Sequence, residues 1–307
     1  MDALRWSRRP RLQEPVLIAA FAGWNDAGDA ATSAIRYLAR SWATRPFCEI
    51  DPEEFFDFTV TRPEVRMVEG KTRVIDWPAN VFEAGAASPL LGTGLERAHG
   101  AGSAKAARRH VIFLHGTEPQ LRWRAFTDQI IEVIDRLGVG MVVTVGALLA
   151  DVAHRRPVRV TGTSNDPVLA ARLGLVRNRY EGPTGIVGVL HEAFSRHGVP
   201  SASLWASVPH YVAQAPSPKA TQALVERISQ VLGVSVDTSE LLAAAEEYEH
   251  RIDELVADDE DAAAYVAHLE QAQDAEESSG IVARSDPGEI SAERLAEEAE
   301  RFLRDQP

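Results

Sequence analysis

Four short stretches carry the polar residues with the best claim to chemistry, and each directly follows an apolar run. FAGWNDAG (21–28) sets Trp24, Asn25 and Asp26 between two glycines. GTEPQLRW (116–123) supplies Glu118 and Arg122, GALLADVAHRRP (146–157) supplies Asp151 and His154, and PHY (209–211) supplies His210. A histidine beside a carboxylate can work as a base with its orienter, so His154 and Asp151 are one candidate pair. The planar fork of Arg122 suits a carboxylate or phosphate. Phosphorolysis of a nucleoside would need a phosphate clamp and a ribose-binding carboxylate, for which Arg122 and Asp26 are the nominees. Each residue also has a purely structural reading. Asp26 can cap the following helix, Glu118 can pair with an arginine across its loop, and His154 can be a surface or capping histidine.

Other motifs are less specific. DPEEFFDFTVTRP (51–63) mixes Asp51, Glu53, Glu54 and Asp57 with Phe55, Phe56 and Phe58. Paired carboxylates can share acid–base work, and charge mixed with aromatic rings equally suits a subunit contact. YEGPTG (180–185) can offer backbone amides to an anion at a helix start. There is no G-x-G-x-x-G and no P-loop ending, so no nucleotide cofactor is expected. No G-x-S-x-G elbow is present. The histidines show no H-E-x-x-H spacing, and the single Cys48 cannot anchor a zinc cluster, so no metal site is expected. Cys48 reads as a buried small side chain. No complete catalytic constellation emerges, and catalytic residues stay unassigned.

Positioning these residues calls for alternating strands and helices. VLIAAFAG (16–23), VIFLHG (111–116) and MVVTVGALL (141–149) read as strands buried on both faces. Shorter strands are expected at 47–50, 73–77, 158–164 and 202–209. Helical spacing follows at Ala31, Ala34, Ile35, Leu38 and Trp42, and again from about Leu121 to Leu137, stopped by Gly138. Asp166-Pro167 and Ser217-Pro218 open further helices, and one from Ile186 is stopped by Gly198. Residues 84–107, rich in Gly, Ala and Ser, read as a loop. The alternation predicts an α/β fold: a mostly parallel sheet with helices on both faces. The four candidate stretches then gather at the carboxyl edge of that sheet, where such folds hold ligands.

Charge divides the chain. The 307 residues carry a formal net charge of −13, but residues 237–307 alone hold 22 acidic residues against 5 arginines. The rest of the chain is slightly basic. A nucleic-acid partner, which wants a basic stripe, is disfavoured. Within the acidic tail, Leu241, Ala245, Tyr248, Ile252, Leu255, Ala262, Val266 and Leu269 step by threes and fours over about four heptads. The cluster Asp258-Asp259-Glu260-Asp261 can instead be a turn that folds the stretch into a helical hairpin. The expected organisation is an α/β domain over 1–236, an acidic hairpin or coiled-coil arm over 237–272, a disordered linker over 273–290 and a terminal helix over 291–307. No transmembrane run or secretory signal is found, so no membrane role and a cytoplasmic location are expected.

Several segments together resemble the PAC2 family, the proteasome assembly chaperone 2-like proteins, in their actinobacterial form. They are FAGWNDAGDAA, DPEEFFDFTVTRP, GTEPQLRWRAF, VTVGALLADV, HRRPVRVTGTSNDP, RYEGPTGIVGVLH and SLWASVPHYV, with YEHRIDEL and AYVAHLE in the tail. The resemblance covers most of residues 15–233. It implies a fold related to purine nucleoside phosphorylases, a homo-oligomer (commonly a trimer) and a link to 20S proteasome assembly. Some members dock on proteasome α-rings through a C-terminal hydrophobic-Tyr-X motif, which Arg304-Asp305-Gln306-Pro307 does not match. The family brings no catalytic residues to carry over. The leading expectation is therefore a non-enzymatic assembly or interaction protein. The alternative is an enzyme or sensor for a nucleoside-like or other small polar ligand held by Trp24, Asn25, Asp26, Glu118, Arg122, Asp151, His154 and His210.

Overall fold

Alternate side chains of one apolar strand face two different cores. In β2 (Val16–Ala22), Val16, Ile18 and Ala20 join one apolar cluster, while Leu17, Ala19 and Phe21 join the other. This period-two division is what a strand covered on both faces requires. The computed structural model describes residues 3–70, 72–88, 108–176 and 181–278.

The other strands of the main sheet are β1 (Leu4–Trp6), β3 (Arg45–Ile50), β6 (Asn80–Ala87), β7 (Arg109–Thr117), β8 (Met141–Ala150), β9 (Val160–Ser164) and β10 (Ser201–Pro209). Their order is β1-β3-β6-β7-β2-β8-β10-β9. The central β7, β2, β8 and β10 are mutually parallel. β3 runs the same way, because it is antiparallel to β6 and β6 is antiparallel to β7. The fold is thus the expected α/β class, with a mixed sheet that is parallel at its centre.

Helices cover both faces. α1 (Ala30–Ser41) and α5 (Pro218–Leu232) bury Ala34, Ile35, Leu38, Leu224 and Ile228 in one core. α2 (Trp123–Leu137) and α4 (Ile186–His197) bury Phe126, Ile130, Val133, Leu190 and Phe194 in the other. The short α3 (Pro167–Leu173) is capped by Asp166, whose side chain accepts from the Val168 and Leu169 amides. Gly138, Gly198 and Gly233 end their helices in the left-handed conformation.

Two segments depart from expectation. Residues 84–87, read as the start of a long loop, belong to β6, which begins at Asn80. Its burial alternates, but Glu83 and Gly85 interrupt the apolar signal. Residues 89–107 of that loop lie outside the described residues. The expected strand near 73–77 is β5 (Thr72–Asp76), and it pairs only with β4 (Glu64–Val68) in a separate hairpin.

In the tail, α6 (Ser239–Ala257) and α7 (Glu260–Ser278) are separate helices. The Asp259 carboxylate accepts from the Asp261 and Ala262 amides and caps α7, so the apolar seam folds back as a hairpin. Leu255 consequently lies exposed and Val256 is buried in its stead. Leu241 at the start of α6 belongs to the same core as α1 and α5. α7 runs on to Ser278, past the point where a linker was expected at 273. The expected terminal helix at 291–307 lies outside the described residues. Among the described residues, no helix is long and apolar enough to cross a membrane.

Candidate functional site

Everything that joins β3 to β6, and the segments that follow β7, β2, β8 and β10, emerges at one edge of the sheet. The strand directions leave no other arrangement. All eight candidate residues therefore sit along one rim, and it is their partners that decide what they do.

The crevice between β2 and β8 is the switch point of the parallel strands, the usual ligand position in such folds. Here the chain closes it. β2 pairs with β8 only as far as Ala19 and Thr144. After a turn at Gly23, where φ is +123°, the chain returns to β8 and the Ala147 amide donates to the Asn25 carbonyl at 2.9 Å.

Asp26 is buried and faces inward. Its carboxylate accepts from the Ala31 amide at 2.6 Å, from the Thr32 amide, and from the Thr32 hydroxyl at 2.5 Å. It caps the first turn of α1, the structural one of its two readings. Burial pushes its carboxyl above the usual range, opposed by these hydrogen bonds.

Among the described residues, Glu118 pairs with no arginine. Its Oε1 accepts from Asn25 Nδ2 at 2.9 Å and from the Ile186 amide at 2.8 Å. The anion expected at the 180–185 helix start is thus the protein's own Glu118, seated on the first turn of α4. Gly185 is needed for this approach: a Cβ there would lie 2.7 Å from both Asn25 Nδ2 and Glu118 Oε1. Trp24, between these buried groups, is 59% exposed.

The carboxylates of 51–63 are divided among local tasks. Asp51 accepts from the Glu53 amide, Asp57 from the Thr59 amide and hydroxyl, and Glu54 pairs with Arg122. Phe55 and Phe56 are core residues, with Phe55 edge-on to Phe126. The outward apolar surface is instead the β4–β5 hairpin, where Val65, Met67, Ile75 and Trp77 are exposed. β4 is exposed over nearly its whole length and buries no face, which is why it escaped the sequence reading.

The expected Asp151–His154 pair is not formed. Asp151 pairs with His210 Nδ1 at 3.2 Å. His154 is fully buried, with Nδ1 2.7 Å from the Tyr211 hydroxyl and Nε2 2.9 Å from Asp253 on α6. The Tyr211 oxygen also accepts from the His154 amide. Burial pushes the Tyr211 hydroxyl up to about 12, far from a nucleophile's range. Burial also pushes the Asp253 carboxyl up, but hydrogen bonds from His154 and Arg155 outweigh it and leave the group below the usual range. The cavity beside His154, lined in part by Arg156, Ser217, Lys219 and Tyr248, measures about 10 Å³. That is room for one water, not a nucleoside. Asp253 was missed because its role depends on where α6 docks, which no local spacing encodes.

A second buried histidine was also missed. His191 on α4 contacts the Thr144 hydroxyl at 2.7 Å and the Ser201 hydroxyl at 3.0 Å. Burial lowers its pKa to about 4, so it is neutral in the fold. Among the described residues, no group of three or more His, Cys, Asp or Glu side chains is placed to hold a metal ion.

The profile of the PAC2 family matches residues 20–256, a span that runs from the end of β2 to the last turn of α6 and includes the rim. The chain belongs to the PAC2 family. It is similar to the crystal structure of a PAC2 family protein from Streptomyces avermitilis, with 42% identity and a TM-score of 0.71 over 82% of this chain and 99% of that one. It is also similar to a proteasome-assembly chaperone homologue of Mycobacterium tuberculosis, with 45% identity and a TM-score of 0.69 over the same shares. An archaeal proteasome activator from Pyrococcus furiosus shares the fold, with a TM-score of 0.64 at 16% identity over 83% of this chain and 99% of that one. No curated protein matches the chain. Within this PAC2 protein, the resembling segments contribute Asp26, Glu118 and His154, the side chains that cap α1, cap α4 and hold α6.

Proposed function

We propose that this PAC2 protein is a non-enzymatic assembly protein that binds proteasome subunits through its carboxyl-edge rim. One observation carries the reading: the rim's buried polar residues are engaged in holding the fold. Asp26, Glu118 and His154 would be the acids and bases of an enzyme, and each is spent on helix caps or on the α6 contact. Beside its charged residues, the rim turns apolar ones outward: Trp24, Leu121 and, at the β4–β5 hairpin, Val65, Met67, Ile75 and Trp77. Exposed aromatic and aliphatic side chains on one edge are the composition of a contact surface. The 45% identical relative described as a proteasome-assembly chaperone homologue supports the choice of partner. Family resemblance favours a homo-oligomer, with a trimer as the first expectation, in the cytoplasm.

Sedimentation velocity of the full chain mixed with recombinant 20S α-subunits tests this. A faster-sedimenting complex containing both proteins is expected. Independent sedimentation of the two at micromolar concentration would overturn the proposal.

A further inference from the structure

The end of the acidic hairpin rests on arginines of the loop after β8. Beneath α7 lies the loop Ala153–Arg156 with Tyr211 and Val212, and this patch has its own small apolar cluster, separate from both main cores. α6 supplies Tyr248, Ile252 and Val256 to that cluster, and is anchored elsewhere as well. The Tyr37 hydroxyl donates to the Asp237 carbonyl, Arg40 pairs with Glu240, and Leu241 enters the main core. α7 has no such second anchor among the described contacts.

The grip of α7 is slight for its length. Over about five turns, the large apolar side chains it buries are Val266 and Leu269. The remaining grip is polar. Gln273 accepts from the Ala153 amide at 2.8 Å, Asp274 pairs with Arg156 at 2.6 Å, Glu270 lies 3.9 Å from Arg155, and Tyr265 rests edge-on against His210 and Tyr211. In each ion pair the cation belongs to the rim and the anion to the helix. The arginines are partly exposed, so salt screens these pairs. Elements held this way open locally, well before the global fold.

We propose that α7 is a displaceable strap that occupies, in cis, a docking surface for an acidic amphipathic helix of a partner protein. The strap itself shows what the surface reads. Two apolar anchors stand three residues apart (Val266, Leu269), followed by an acid (Glu270), and then an amide and an acid (Gln273, Asp274). A partner helix with the pattern apolar-x-x-apolar-acid-x-x-amide-acid makes the same contacts with Ala153, Arg155, Arg156, Tyr211 and Val212. The slightly basic body and the strongly acidic tail are the charge complement this requires. The proposal needs the protein to bind partners but does not need them to be proteasome subunits.

Hydrogen exchange on the full chain, at about 50 mM and about 500 mM salt, reads the strap directly. Amides of α7 exchange at least about tenfold faster than those of α5, and faster still at high salt. A labelled peptide of residues 260–278 is then titrated onto full chains opened by Leu269→Asp or, more gently, by Gln273→Ala, with unchanged β8 and α5 protection confirming that the body is folded. The peptide binds the opened chains at least about tenfold more tightly than wild type, and Arg155→Glu with Arg156→Glu abolishes that binding. The strap is overturned if α7 exchanges as slowly as α5 at both salts, or if the peptide ignores the opened chains. A dimer in which two copies exchange straps would overturn the assignment to a separate partner. Peptide binding without any proteasome complex would sink the proteasome reading and leave the strap standing.

Discussion

His154 Nε2 lies 2.9 Å from Asp253 Oδ1 across 99 residues of chain, while its Nδ1 meets the Tyr211 hydroxyl at 2.7 Å. The imidazole thus joins the loop after β8, the segment after β10 and helix α6. Both ring nitrogens are engaged and the side chain is fully buried, so it has no free face for a substrate.

The regrouping of the two expected acid–base partners has a measurable signature. His154→Ala leaves Tyr211 and Asp253 without their shared partner and should cost about 2–3 kcal/mol of stability. Asp151→Asn weakens a partly exposed pair with His210 and should cost less than about 1 kcal/mol. Urea unfolding of both variants checks this. Equal costs would contradict the assignment of partners.

Asp26 and Glu118 should behave as caps. Asp26→Ala strands two buried amides and a hydroxyl at the head of α1, and Glu118→Ala strands the Ile186 amide and Asn25 at the head of α4. Each should lose about 1–3 kcal/mol. Circular dichroism melts would register the loss as a lower midpoint with an unchanged native spectrum.

Acid should destabilise the protein through His191. The unfolded chain takes up a proton there below about pH 6.5, while the fold keeps the ring neutral down to about pH 4. The unfolded state therefore binds more protons in that window, and stability falls as pH drops through it, by as much as about 3 kcal/mol. His191→Gln keeps hydrogen-bonding atoms but does not titrate. Its stability should fall less than wild type between pH 7 and pH 4 in parallel urea titrations.

Much of the fold was legible because it rests on continuous apolar runs. Val16–Ala22, Val111–Leu114 and Met141–Ala147 can only be strands covered on both faces, and glycines stop the helices between them. β6 was not legible, since Glu83 and Gly85 break its run although its alternate residues are buried. The candidate site was legible only as a rim. Strand–helix order places Trp24, Glu118, Asp151 and His210 at one edge, but which side chains meet is set by packing between distant segments. Asp253 reaches His154 only because α6 folds back over the rim, and the sequence there reads equally as a straight heptad seam until Asp259 is seen to cap a new helix.

Small ligands should leave the protein unmoved. The switch-point crevice is closed by the Asn25–Ala147 hydrogen bond, and the cavity beside His154 has room for one water. Thermal-shift screening against nucleosides, phosphate and nucleotides should therefore show no stabilisation. A ligand present at about 100 times its Kd would add about 2.7 kcal/mol, and any such rise would favour the enzyme or sensor reading.

Binding through the apolar rim is tested most directly by titrating 20S α-subunits against wild type and two variants, Trp24→Ala and Ile75→Lys, by sedimentation velocity. Both residues are more than half exposed (59% and 51%), so the native fold should not depend on them. Truncating an anchoring aromatic or charging an apolar contact should weaken the complex by at least about tenfold, with melting midpoints held at the wild-type value. Wild-type affinity in both variants would contradict a rim-mediated assembly function.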